Sequence, residues 1–204
     1  MKIDIPMTVK VVITFCPANS RQWREWLTEN HALEKSVWLI YYRKKTNVPS
    51  ITWSEAVDEA LCFGWIDSLS RPLDDERFMQ FFTRRKPKSV WSKINKEKVQ
   101  RLTEHGLMTQ AGLDVIDLAK QNGSWTVLDE VEELIMPADF QTELDCRPDA
   151  KSFYNKLCKS DKRNLLQWLV LAKRPETRKK RISEIVELAD MNQKPKIIQS
   201  VKKA

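Results

Sequence analysis

Apolar residues recur along this chain with two different periods. Between Ser20 and Asn30, Trp23, Trp26 and Leu27 fall at the i, i+3, i+4 spacing of a helix with one buried stripe, and Ser20 is placed to cap it. From Val37 to Tyr42 the period is two, with Val37, Leu39 and Tyr41 on one face and Trp38, Ile40 and Tyr42 on the other. Both faces are apolar, which predicts a strand covered on two sides. Asn47, Pro49 and Ser50 supply a turn. Thr52 followed by Glu55 is a capping box for a helix whose stripe is Ala56, Val57, Ala60 and Leu61, and Gly64 fits its C′ position. Trp65 and Ile66 then read as a short extended piece, Arg71 to Glu76 as a turn, and Phe78 to Thr83 as a further strand. Strands around one helix imply a small antiparallel sheet.

Beyond Ser92 the pattern is helical. Asn95 is placed to cap a helix bearing Val99 and Leu102 that stops at His105 and Gly106, and Thr109 caps another with Leu113 and Ile116 before Gly123. Pro137 suits the N1 position of a short helix through Leu144. Asp149 is placed to cap a helix with Phe153, Tyr154 and Leu157, Ser160 one with Leu165, Trp168, Leu169 and Ala172, and Pro175 starts one with Ile182, Ile185, Val186 and Ala189. Three such helices pack as a bundle. The predicted fold class is α+β: a small antiparallel sheet with helices in the N-terminal part, followed by an all-helical C-terminal part. The acidic, weakly periodic stretch from Asp129 to Asp149 marks the boundary, which gives an α+β domain over 1–130 and a basic helical module over 131–204 packed on it. Lys194 to Ala204 is polar and terminal and is expected to fray.

A 204-residue chain with 42% hydrophobic residues can bury a core, and four glycines exclude a collagen-like or Gly-linker character. No run approaches the roughly 18 apolar residues that a membrane helix needs. The stretch Val11 to Phe15 lacks the long apolar core and cleavage site of a signal peptide, so a cytoplasmic location is expected. Cys16, Cys62, Cys146 and Cys158 form no C-x-x-C pair, and His31 and His105 add no zinc-like spacing. Nucleotide-loop, zincin and hydrolase-elbow motifs are missing, so no metal, no cofactor and no assignable catalytic residue are expected.

Charge is unevenly spread. Residues 151–204 hold 15 Lys or Arg against 5 Asp or Glu, whereas the first 150 hold 20 against 23. A second basic block runs from Arg84 to Arg101, where eight cations face only Glu97. Such blocks attract phosphates or acidic surfaces, or else keep a helix face solvated.

Candidate chemistry concentrates between Glu55 and Asn95. Trp65, Trp91, Arg84, Arg85 and Lys93 can build a cleft with an aromatic wall and an anion-binding edge, with Asp67 orienting one of the cations, and Asn95 is counted with these as a ligand-binding candidate. The expected partner is an anionic small molecule or an acidic protein. In the structural alternative the Trp residues are core and Asp67 pairs locally. A second alternative is an enzyme in which Glu59, Cys62, Asp67 and Arg85 converge near one helix end for acid–base and oxyanion work. Cys62, between Leu61 and Phe63, also reads as a small buried hydrophobe, and both histidines as helix-end residues. A third alternative is non-specific nucleic-acid binding through the basic C-terminal module, but no nucleic-acid motif supports it and nucleic acid is not the expected partner.

Four strings carry a family resemblance. They are Glu55 to Asp67 (EAVDEALCFGWID), Arg85 to Glu97 (RKPKSVWSKINKE), Gly106 to Gly112 (GLMTQAG) and Ala172 to Ile182 (AKRPETRKKRI). Together they resemble the bacterial YdeI/OmpD-associated family of bacteriocin-protection proteins over roughly residues 15 to 195. Arg84 departs from the Pro that usually precedes the family's Arg. The resemblance implies a stress or bacteriocin-protection role linked to the bacterial envelope, protection extending to cationic antimicrobial peptides, and no established reaction. A periplasmic location is sometimes ascribed to the family. In the last string, Lys173, Arg174, Arg178 and Arg181 surround a helix start that suits an anion, or else a junction in which Glu176 and Thr177 cap and pair locally.

Overall fold

The computed structural model describes residues 13–199. Residues 200–204, part of the tail expected to fray, and Val11 and Val12 lie outside the described residues. Contacts divide the chain into two compact units. One comprises the described residues up to Ser89 together with Ile94–Asn122, the other Val90–Lys93 together with those from Gly123 onward.

The first unit contains β1 (Thr14–Phe15), α1 (Ser20–Asn30), β2 (Ser36–Tyr42), α2 (Trp53–Cys62), β3 (Trp65–Pro72), β4 (Arg77–Arg84), most of α3 (Lys93–Glu104) and α4 (Gln110–Gln121). The strand order is β1-β2-β4-β3. β2, β4 and β3 form the expected antiparallel core, and β1 adds a parallel edge through Thr14↔Trp38 and Phe15↔Leu39, which makes the sheet mixed. β3 is eight residues long rather than a short extended piece. Its outer half, Ser68 to Pro72, is exposed, so it carries no buried apolar alternation, and a bulge between Asp67 and Ser70 breaks its register.

The sheet has one packed face. Val37, Leu39 and Tyr41 of β2 and Gln80 and Phe82 of β4 are buried, and Trp23 of α1 meets Phe82 edge-on with ring centroids 5.6 Å apart. Trp38, Ile40 and Tyr42 are only half-buried, which corrects the expectation of a strand covered on both sides. The Trp23 indole donates to the Ala56 carbonyl of α2 at 3.1 Å. The Thr52–Glu55 capping box is present, and Gly64 follows α2 with φ +72°. At α4, the Thr109 hydroxyl donates to the Cys62 carbonyl at 2.6 Å and accepts from the Gly112 amide.

The second unit contains α5 (Asp129–Glu132), α6 (Ala138–Asp145), α7 (Pro148–Lys156), α8 (Lys159–Val170), α9 (Pro175–Asp190) and a 3-10 turn at Lys196–Ile198. Phe140, Leu144, Tyr154, Leu165, Leu169 and Ile185 are among its buried core residues. Ile198 is buried and Lys194 pairs with Asp161 at 2.7 Å, so the tail is docked as far as Ile198 instead of fraying from Lys194.

Helix starts are displaced from several expected caps. Asn19, not Ser20, caps α1, accepting from the Gln22 amide at 3.0 Å. α3 begins at Lys93, which puts Asn95 inside its first turn. Pro137 is the N-cap of α6 rather than N1. Arg147 and Cys158 are the caps of α7 and α8 where Asp149 and Ser160 were expected. Pro148 takes the N1 position of α7 because its fixed φ suits the first turn, and this moves Asp149 inward.

Candidate functional site

Asp67 lies on the packed face of β3, opposite Phe82 of β4. Its Oδ2 accepts from the Trp53 indole N–H at 2.9 Å and from the Gln80 amide at 3.1 Å, and the same Gln80 nitrogen donates to the Ser68 carbonyl. Trp53 is the first residue of α2 and remains 49% exposed, so one end of this network opens to solvent. The other end is internal. Arg85, just past β4, has its backbone N–H on the Gly64 carbonyl at 2.9 Å and its side chain buried. Desolvation lowers the Arg85 pKa to about 10, opposed by the charge of Asp67. Burial, assisted by Asp67, raises the Tyr41 phenol well above its usual value. The Tyr41 hydroxyl and the Trp65 indole N–H are buried with no hydrogen-bond partner among the described residues.

The residues expected to form a cleft have unequal placements. Trp65 is 1% exposed, edge-on to Trp26 at 5.9 Å, and belongs to the core. Arg84 donates to the Glu34 and Ala32 carbonyls, both at 2.7 Å, and so ties β4 to the loop after α1. Trp91 and Lys93 fall in the second unit, where Trp91 is buried against Trp125 with centroids 4.9 Å apart. Lys93 is exposed, and Asn95 is half-buried in the first turn of α3. Trp53 and Gln80 were not among the expected site residues. Gln80 had a signal: it is the polar member of the inward series Phe78, Gln80, Phe82. Trp53 had only its position off the apolar stripe of α2.

The groups proposed for acid–base chemistry sort into two sets. The Glu59 carboxylate accepts from Arg24 at 2.7 Å, and Arg24 also donates to the Leu107 carbonyl at 2.6 Å. Cys62 is fully buried, and desolvation pushes its thiol up to about 11. Glu59 and Asp58 act on Cys62, whereas Asp67 acts on Arg85 and Tyr41. A cavity of about 220 Å³ opens beside the first set, lined by Glu55, Asp58, Glu59, Arg101 and His105 among others. Asp58 is held by Lys98 at 2.6 Å and Arg101 at 2.5 Å, and Glu55 is engaged by the α2 cap. His31 and His105 each turn Nδ1 to the carbonyl four residues earlier, at Leu27 and Arg101. Among the described residues no three His, Cys, Asp or Glu form a group able to hold a metal ion.

In the second unit two cations of the Ala172–Ile182 string, Arg178 and Arg181, are engaged locally. Arg178 grips Asp139 through two hydrogen bonds, at 2.5 and 2.7 Å, and donates to the Leu169 carbonyl. Arg181 donates to the Trp168 carbonyl, and its guanidinium carbon lies 4.9 Å from the Trp168 ring centroid.

Residues 133–192 match the family described as Bacteriocin-protection, YdeI or OmpD-Associated. That segment of the chain is similar to the family. The matched segment spans α6 to α9 and includes both the Asp139–Arg178 clamp and the Trp168–Arg181 stack. Residues 15–115 match a different family, described as Domain of unknown function (DUF8412), and these hold the Asp67–Arg85 network. No curated protein and no solved structure matches the chain. No helix among the described residues is long and apolar enough to cross a membrane.

Proposed function

We propose that this chain is a bacteriocin-protection protein that works by binding, and that its α+β unit takes an anionic ligand at Arg85. Asp67 positions the guanidinium, and Trp53 offers an indole face at the open end of the same network. The observation that carries this reading is Arg85 itself, a cation 7% exposed whose lowered pKa of about 10 still leaves it charged at neutral pH. A guanidinium suits an anion through its bidentate fork, and the exposed Trp53 indole offers a stacking face beside the carboxylate that stabilises the Arg85 charge. Arg84 does not enter, because its side chain is turned to the Ala32 and Glu34 carbonyls. Non-catalytic binding is favoured over turnover by the engagement of Glu59 with Arg24 and by the burial of the Cys62 thiol, which raises its pKa. A reducing, cytoplasmic setting is supported by four free cysteines, of which Cys16, Cys146 and Cys158 are exposed.

The test is a thermal-shift series with inorganic phosphate, phosphomonoesters, nucleotides, anionic cell-wall fragments and polyglutamate, since a ligand of the native state raises its apparent stability. An anion that raises Tm for the parent chain and for Arg85→Lys, less for Trp53→Ala, and not at all for Arg85→Gln supports the site. A shift that Arg85→Gln retains, or no shift with any anion, removes it.

A further inference from the structure

Trp38 and Phe81 are register partners on β2 and β4, with ring centroids 4.8 Å apart, and Ile40 and Met79 form the next pair along the same face. Tyr42 follows. None of these five residues is in the buried core, although the opposite face of the same strands is. The charged residues that the strands place on this open face are both arginines. The Arg71 guanidinium lies 5.3 Å from the Trp38 ring centroid, and that of Arg77 lies 6.0 Å from the Tyr42 centroid. The one carboxylate within the strands, Asp67, is on the packed face. Arg77 is paired with Asp74, whereas Arg71 is exposed and makes no ion pair with any described residue.

We infer that this sheet face binds single-stranded nucleic acid. Half-exposed rings on one sheet face accept unstacked bases whatever their sequence, and guanidinium groups lying over those rings are placed to meet the phosphates while still stacking. A duplex keeps its bases inside and cannot use such a platform. An acidic polypeptide would use the arginines but gain nothing from the aromatic row. The surface uses neither Arg85 nor Trp53, so it stands or falls apart from the anion site.

The experiment is fluorescence anisotropy of the full chain with short labelled oligo-dT and oligo-U strands, a matched duplex, and a labelled polyglutamate, at low and physiological salt. The expected result is single strands bound more tightly than duplex, with affinity falling as salt rises. Arg71→Glu, which alters an exposed side chain outside the core, and Phe81→Ala should each weaken binding by about tenfold or more. Lys179→Glu, in the helical unit, should leave it unchanged. The inference is overturned if Arg71→Glu binds as the parent chain does, or if duplex binds as tightly as single strands. It is equally overturned if abasic strands compete as well as oligo-dT, or if polyglutamate binds at Arg71 while oligonucleotides do not.

Discussion

Asp139 is held below the usual carboxylate range because Arg178 donates two hydrogen bonds to it. A carboxyl whose folded pKa is depressed contributes its full share of stability above the ordinary carboxylate range and loses it as pH falls toward the depressed value. Asp139→Asn should therefore flatten the acid side of a denaturation-midpoint profile while changing little of its slope near neutrality, and an unchanged acid limb would refute the assignment. Cys62 makes a second expectation. It is fully buried with a thiol pushed up to about 11, while the other three cysteines are exposed, so a thiol reagent should titrate three groups quickly in the native protein and the fourth only on unfolding. Asp67 and Arg85 stood out in the sequence by residue type alone, as a carboxylate and a cation among aromatics. Trp65 was misleading, because an indole in sequence shows its size and stacking capacity but not which side of the core it faces. Trp53, the exposed indole that reaches Asp67, looked like an ordinary residue at a helix start.

Elements were legible wherever an apolar stripe had to find a core. The stripes of α1, α2, α4 and α9 recur in the structure with their expected buried members, Trp23 and Leu27, Ala56 to Leu61, Ile116, and Ile182 to Ala189. Starts were less legible, since several polar residues near a helix N-terminus can each cap it and only backbone geometry chooses among them. β1 escaped notice because two residues carry no period, and β3 because an exposed edge needs none. The α2–α4 packing carries a prediction at this scale. A Cβ on Gly112 would sit 2.3 Å from the Cys62 carbonyl oxygen, against the backbone that also receives the Thr109 hydroxyl. Gly112→Ala should destabilise by about 1–3 kcal/mol through overpacking, although alanine is the better helix former. Chemical denaturation measures it, and a neutral or stabilising effect would mean that the two helices approach less closely than described. Thr52→Ala, which removes only the α2 capping box, should cost about 1 kcal/mol in the same assay.

For the whole molecule, the informative feature is that the chain enters the helical unit at Val90–Lys93, returns to the α+β unit, and joins the helical unit again at Gly123. The charge asymmetry and the change from mixed to helical patterning made two parts visible in the sequence, but this early visit was hidden, because four residues next to a basic block carry no composition of their own. Trp91 is buried against Trp125, and Val90 packs on the helical core. Trp91→Ala should therefore cost about 3 kcal/mol, and hydrogen exchange should show the lost protection in the helices after Gly123 more than in β2 or β4. The opposite distribution would refute the assignment of Trp91 to that core. The same feature bears on synthesis. Trp91 leaves the ribosome ahead of every helix of its own core, and while α3 and α4 are being made its indole has no finished site to enter. Translation speed through residues 94–122 thus sets how long a large apolar side chain stays open to chaperones, and slowing that stretch with rare codons would lengthen the interval without changing a single residue of the product.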